Sequence, residues 1–525
     1  MANIKTSLEF KTYSPTQPYL LPVSLGDLID PGELVRIVNA FVEGIDISSL
    51  LKTYVGGGTT SYHPRMLLKV LLYAYCTKIY TSRKIAKAIR QDIHFMWLTA
   101  GNKPTFRTIG NFRSCRAKEV IEDIFKEMLN FLIEHNYIKM ENYFCDGSTF
   151  RADGNQHKMV WKKNAAKYKE ITEQKCKDLF TEIDALNEAE DKEYKNKDLE
   201  ETGTDNRPVT LELINDHVVK LNKLIKKKTT AREKKKAEVI KKQLLNQQEK
   251  IIKYDKQIKT AGKRSGYNKT DEDASGMRMK NQEILPGYNI LAGCENQMII
   301  NCSVHQNTND ATCFNDHLEQ LKQLTDIVPA NVIADSIFGT EENCEILERE
   351  GIENYLKYPS LHKEEKKRYK PDHSSNDAFI YDGLTDTYLC PNNKILVFKQ
   401  ELKTDTRLSG YQATSKIYEA NDCSGCPFFD QCCGPKKEIN RKLKINEKLE
   451  SYKRKMRSNL QSEKGWELRK SRGVEIESCF GDIKHNMGVR RCHLRGLKKV
   501  KTDFCLIAMA HNLRKVHLLS LKMAS

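Results

Sequence analysis

Three acidic residues stand where their surroundings give them chemistry to do. Asp146 closes the short apolar run in YFCDGSTF and is followed by Gly and Ser, and Asp335 closes the run NVIA. Glu477 lies in RKSRGVEIESCFGDIKHNMGVRRCHLRGLKKVK, residues 469–501, with Lys484 seven positions on. Seven residues is close to two α-helical turns, so this carboxylate and ammonium are expected on one face. From Lys484 to Lys501 there are seven Lys/Arg and no Asp or Glu. Taken alone, that stretch reads equally well as a solvated helix. Three carboxylates converging without a counter-charge repel one another, which calls for hard divalent cations with oxygen ligands, Mg2+ first. Two such ions about 4 Å apart clamp the attacking and leaving oxygens of an in-line displacement at phosphorus. Basic surroundings draw a phosphate chain to them.

The elements that must position these groups follow from the pattern around them. Ile476, Phe480, Ile483 and Met487 recur at i, i+4, i+7 and i+11, one stripe of an amphipathic helix. The run before Asp146 reads as a strand delivering a carboxylate to the end of a sheet, where open α/β sheets place their sites. Thr340, with Glu341 and Glu342 behind it, is a better N-terminus for the next helix than Asp335, which leaves Asp335 spare. PGYNILAGCENQMIINCSVHQ reads as two strands joined by a short turn, with a helix over NDHLEQLKQL. The order is three strands in a meander, then alternating β and α. A mixed α/β sheet flanked by helices is expected.

Elsewhere the pattern is largely helical. Residues 64–134 read as helices, with Ser82 and Thr105 as N-caps. SRKIAKAIRQ followed by a turn fits a helix-turn-helix or the wet face of a bundle. Residues 161–270 read as a coiled-coil-like helical insertion whose second part, 221–270, carries 17 Lys/Arg against 4 Asp/Glu. That basic part fits either DNA phosphates or solvent. Cys390, Cys423, Cys426 and Cys432 could hold a tetrahedral structural zinc from two turns, with Cys433 as a rival ligand and free thiols as the alternative. A basic helix over INRKLKINEKLESYKRKMRSNL leads back to Glu477, and FCLIAMAHNLRKVHLL is apolar enough to close a core.

The 525 residues leave room for two to four domains, and a formal charge of +17 favours nucleic acid as partner. Sixteen scattered cysteines in so long a chain do not make a disulfide scaffold. The N-terminus lacks a signal-peptide core, and no stretch of about 18 apolar residues appears. A soluble, intracellular protein is expected.

The sequence resembles the DDE transposases of bacterial insertion sequences, specifically the insertion sequence eleven-eighty-two family. The resemblance is carried by YHPRMLLKVLLYAYCTKIYTSRKIAKAIRQD, CDGSTFRADGNQHKMVWKK, TDEDASGMRMKNQEILPGYN and IADSIFGTEENCEILEREGI. It continues in the C…CxxCP…C segment and VEIESCFGDIKHNMGVRRCHLRGLKKVK…LIAMAHNLRKV. Glu477 and Lys484 satisfy the family's spacing between the catalytic Glu and a Lys, whereas Glu475 does not. Arg472 is the nearest candidate for the preceding Arg, with four residues between it and Glu477 where the wider group has three. The resemblance implies an RNase H-like catalytic fold in which Asp146, Asp335 and Glu477 bind two Mg2+ ions, with Mn2+ as a substitute. Lys484 and Arg472 would hold DNA phosphate. Water would cut at the terminal inverted repeats, and each freed 3′-OH would attack target DNA. A homodimer would bring two ends of double-stranded DNA together in the bacterial cytoplasm, at the nucleoid and away from any membrane.

The implied division is a helical, DNA-binding 1–134, the start of the catalytic domain at 135–160, and the helical insertion at 161–270. The catalytic domain resumes at 271–360, a cysteine-containing insertion and basic helix fill 361–460, and the Glu-bearing and closing helices occupy 461–525. A Mg2+-dependent nuclease on the same fold, a catalytically silent DNA-binding relic and a zinc-dependent regulator are the rival readings.

Overall fold

The strand Asn142–Arg151 (β1) is the member on which the larger part of the chain is built. The structure, a computed structural model, describes residues 24–54, 61–193, 209–227, 231–366, 369–405, 409–433 and 440–524. These fall into two units, one of residues up to 131 together with those from 506, the other of 132–505.

The first unit is helical. Pro64–Cys76 starts with proline at its first position, where no hydrogen-bonding N–H is lost, and is buried along most of its length. In Ser82–Gln91, Ile85, Ala86 and Ile89 face inward while Arg83, Lys84, Lys87 and Arg90 are exposed. Thr81 rather than Ser82 caps this helix, its side chain accepting from Lys84 N. Thr105 caps Phe106–Asn111 as expected, accepting from Thr108 N.

In the second unit, β1 is followed by Met159–Trp161 (β2), Gly266–Asn268 (β3), Ser275–Arg278 (β4), Ile284–Glu295 (β5), Met298–His305 (β6), Asn331–Ala334 (β7) and Glu353–Leu356 (β8). The main sheet has the order β4-β5-β1-β7-β8, with β6 also paired to β5. β5 runs antiparallel to β1 and to β6, while β7 runs parallel to β1 and to β8. All four residues of β7 are buried, as expected of a parallel strand covered on both faces. The mixed α/β sheet is therefore present.

The segment between β1 and β4 leaves the sheet through the antiparallel pair β2–β3. Beyond that neck stand the helices Lys162–Glu193, Leu211–Lys227 and Ala231–Ala261. They share a separate core that includes Phe180, Ile183, Leu221, Leu244 and Ile251.

A second sheet was not expected from the sequence. Ile380–Asp382 (β9), Thr387–Leu389 (β10), Ile395–Asp405 (β11), Gln412–Ala420 (β12) and Lys442–Ile445 (β13) form an antiparallel sheet in the order β13-β12-β11-β10-β9. The helix expected over INRKLKINEKLESYKRKMRSNL begins only at Glu447, because KLKI pairs with β12. Glu447–Gln461 then packs on the first sheet's flank, Tyr452 donating to Glu348 and Asn459 to the Asn354 carbonyl.

Candidate active site

Asp146 and Asp335 are brought together by strand register. β1 and β7 run parallel, with Cys145 opposite Ala334, and each aspartate is the next residue along the chain, Asp335 lying just past the end of β7. Pairing with β7 stops at this point, whereas β1 continues to Arg151 against β5. Asp146 thus lies in mid-strand, where its neighbour on one side ends, rather than at the strand's terminus. Asp335 starts a short turn, Ser336–Phe338, without capping it, and Thr340 caps the following helix by accepting from Asn343 N.

Glu477 reaches the same place from a helical segment that is not uniformly α. Glu463–Arg472 gives way to a wide π-helical turn at Gly473–Glu477, a single α-turn at Ser478–Gly481 and a second wide turn at Asp482–Asn486. Ile476, Phe480, Ile483 and Met487 are all buried, so the apolar stripe is the face that packs. Wide turns of this kind recur at functional sites, where they re-aim side chains. Glu477 and Lys484 bond different partners, Arg472 for the first and Ser148 for the second.

Arg472 joins the carboxylates. Its Nη2 lies 3.1 Å from Asp146 Oδ2 and its Nη1 donates to Glu477 Oε1 at 3.1 Å. The guanidinium is buried, Asp146 is partly buried, and the Glu477 side chain is 60% exposed. The carboxylates therefore do have a counter-charge, which the sequence reading lacked. Glu475, the alternative acid, is used elsewhere, accepting from Gln297 N at 2.6 Å in the β5–β6 turn.

Lys484 leans on the far half of β1. Its Nζ bonds Ser148 Oγ, approaches the Thr149 carbonyl at 3.4 Å and stands 4.5 Å over the Phe150 ring. Burial and the nearby Lys280 push its ammonium down to about 8, against the pull of Asp146. Asp146 shifts the other way. Burial raises its carboxyl above the usual range, Arg472 and the Gly147 N–H oppose that, and Asp310 and Asp335 add repulsion.

Asp310 is the acid the sequence reading missed. It opens the turn Asp310–Cys313 after β6, and its carboxylate lies against Gly147, the residue following Asp146. The only local signal was an Asp in the polar loop HQNTND after a strand, a common arrangement without function.

As they stand, no three His, Cys, Asp or Glu side chains among the described residues are gathered closely enough to hold a metal ion. The donor chemistry nevertheless fits one. Asp310 and Asp335 both repel the Asp146 carboxylate, and the guanidinium beside it is shared with Glu477. Hard oxygen donors with excess negative charge are what Mg2+ takes.

The cysteines sit apart from this site. Cys390, Cys423, Cys426, Cys432 and Cys433 line one small cavity beside β11 and β12, together with Phe379 and Arg441. Backbone N–H groups of Asn392 and Lys394 point at Cys390 Sγ, and that of Arg441 at Cys423 Sγ, at 3.3–3.4 Å. Cys432 donates to the His373 carbonyl.

Residues 23–115 match the family model described as Transposase domain (DUF772), and residues 389–517 match the one described as Transposase DDE domain. The chain carries a transposase DDE domain. The matched DDE segment holds the five cysteines of the cavity, Arg472, Glu477 and Lys484, while the DUF772 segment covers most of the helices of the first unit. Asp146, Asp310 and Asp335 lie outside both matched segments. No curated protein matches the chain. Among the described residues, no helix is long and apolar enough to cross a membrane.

Proposed function

We propose that this chain is a Mg2+-dependent DNA transposase of the insertion sequence eleven-eighty-two type, cutting at terminal inverted repeats and joining the freed 3′-OH ends to target DNA. The observation that carries the reading is Arg472 bound at once to Asp146 and Glu477, with Asp335 just past the end of the adjoining parallel strand. The antiparallel strands β6, β5 and β1, followed by the parallel β7 and β8, support an RNase H-like catalytic domain.

Asp146, Asp335 and Glu477 would hold the Mg2+. When bound, the metal supplies Lewis-acid stabilisation of charge at phosphorus and a nucleophilic oxygen at neutral pH. Arg472 fixes the orientation of Asp146 and Glu477. Lys484, anchored on Ser148 and Phe150, offers its ammonium to a DNA phosphate next to the acids. The exposed Arg83, Lys84, Lys87 and Arg90 give the first unit a cationic face suited to the terminal repeats. Double-stranded DNA is the substrate, and two copies would pair two ends. Cys390, Cys423, Cys426 and Cys432 would have to draw closer together to hold a structural zinc, a reading that the N–H groups pointing at Cys390 and Cys423 sulfur support.

The test is incubation of the purified chain with a labelled duplex of one element end and Mg2+, with EDTA as control. Metal-dependent nicking at the end of the repeat supports the reading. Binding without cutting at any Mg2+ concentration overturns it.

A further inference from the structure

We propose that the solvent side of the helix Glu463–Arg472 and of the wide turn after it is a platform for an unpaired stretch of DNA, Trp466 stacking on a base and Lys470 meeting a phosphate beside it. The inference rests on the reading of the neighbouring carboxylates as a DNA-cutting site. It adds a substrate class to that site, a strand whose bases are exposed near the cut.

The way this segment divides between protein and solvent is the first observation. Gly465, Leu468, Arg472 and Ile476 are buried, so that face packs. Trp466, Lys470, Val474 and Glu477 are exposed at i, i+4, i+8 and i+11, a spacing that puts them along one side of a helix. Trp466 is 57% exposed and Val474 60%, while the arginine is turned inward. Packing within the chain does not account for a tryptophan left half in water, since burial is what this side chain contributes to a fold.

The groups around the ring are the second. Lys470 Nζ stands 5.2 Å from the centre of the Trp466 ring, and among the described residues no carboxylate pairs with that ammonium. An aromatic face with a free cation one turn away matches a nucleotide, which offers a flat base and a negative phosphate together. Gly473, exposed between Lys470 and Glu477, leaves the backbone open to close approach, for a Cβ built there would meet nothing within 4 Å.

Place is the third. Trp466 and Glu477 are separated by about 16 Å along a helix axis, or roughly four to five nucleotide steps of one strand. The Glu477 side chain is exposed as well, so the exposed stripe runs without interruption from the ring to the acid. In a duplex the faces of the bases are covered by their neighbours, and the indole can stack only on a base that is unpaired.

The test uses the full chain in EDTA, so that nothing is cut, and reads fluorescence anisotropy of two labelled element ends. One is fully paired, and the other carries a single-stranded oligothymidine flank. We expect W466A to lose about 10-fold or more in affinity for the tailed end and little for the paired one, with W466F recovering most of the loss. K470A should lower the salt dependence for the tailed end by about one charge. Melting of W466A should match the wild type, because the ring is exposed. Wild-type affinity of folded W466A for the tailed end overturns the proposal, as does an equal loss on both ends. A wild-type dimer that W466A dissociates without change in DNA binding also overturns it, by giving this face to a second copy of the chain. The transposase reading fails separately, if tailed ends bind through Trp466 yet are never cut with Mg2+.

Discussion

Arg472 reaches Asp146 across 3.1 Å, so the buried arginine of the Glu-bearing helix and the partly buried aspartate of the central strand form one ion pair. The pair fixes where the helix docks on β1, and through the second arm of the guanidinium it fixes Glu477 as well. Removing the arginine leaves a partly buried carboxylate without its partner. We expect R472M to lose about 1–3 kcal/mol of stability in urea unfolding, and R472K to recover only part, because an ammonium lacks the planar fork that serves two acids. Equal stability of wild type and R472M would show that the pair contributes nothing.

The two glutamates of VEIES separate by their partners. Glu475 holds the β5–β6 turn through Gln297 N, and Glu477 points to solvent and Arg472. E475Q is expected to lower the melting temperature while keeping metal-dependent cleavage. E477Q should leave melting almost unchanged and reduce cleavage by about 100-fold or more, equivalent to about 3 kcal/mol of transition-state stabilisation. The reverse pattern would move the catalytic role to Glu475.

Lys484 gives the site a pH limit. Its ammonium, pushed down to about 8 by burial, is charged below that pH and neutral above it. If it holds phosphate, cleavage and end binding should fall as pH rises through about 8. K484R, whose guanidinium stays charged, should move the fall upward or abolish it. On the acid side, burial raises the carboxyl of Asp146, so Mn2+ affinity should decline at a pH above the ordinary carboxylate range. A profile flat from neutral to pH 10 in the wild type would remove Lys484 from phosphate binding.

The sequence made some of this readable and hid the rest for physical reasons. NVIA is a short apolar run with an acid behind it, and Thr340 carries its own capping signal, so the strand, the spare Asp335 and the next helix could all be read locally. The 284–305 hairpin and the stripe Ile476, Phe480, Ile483 and Met487 were readable in the same way. The second sheet was not, because β11 exposes nearly every residue and KLKI carries the same basic composition as the helix after it. The wide turns around Glu477 leave no composition signal. Asp310 meets a backbone atom of a residue far away in sequence, a relation no spacing encodes.

The cysteine cavity makes a separate prediction. Chain purified without chelator should contain about one zinc per molecule by atomic emission, and C423S together with C426S should lose it and destabilise the β9–β13 sheet. Zinc-free protein with a melting temperature unaffected by added chelator would return these residues to free thiols packed around Phe379 and Leu396.

The most direct test of the central claim is strand transfer. The purified chain would be mixed with a labelled element end, a target plasmid and Mg2+, alongside D335A and E477Q. The account predicts labelled end joined to plasmid by the wild type alone, with both variants still binding the end. Joined product from D335A or E477Q, or its absence from the wild type despite tight binding and bound metal, would contradict it.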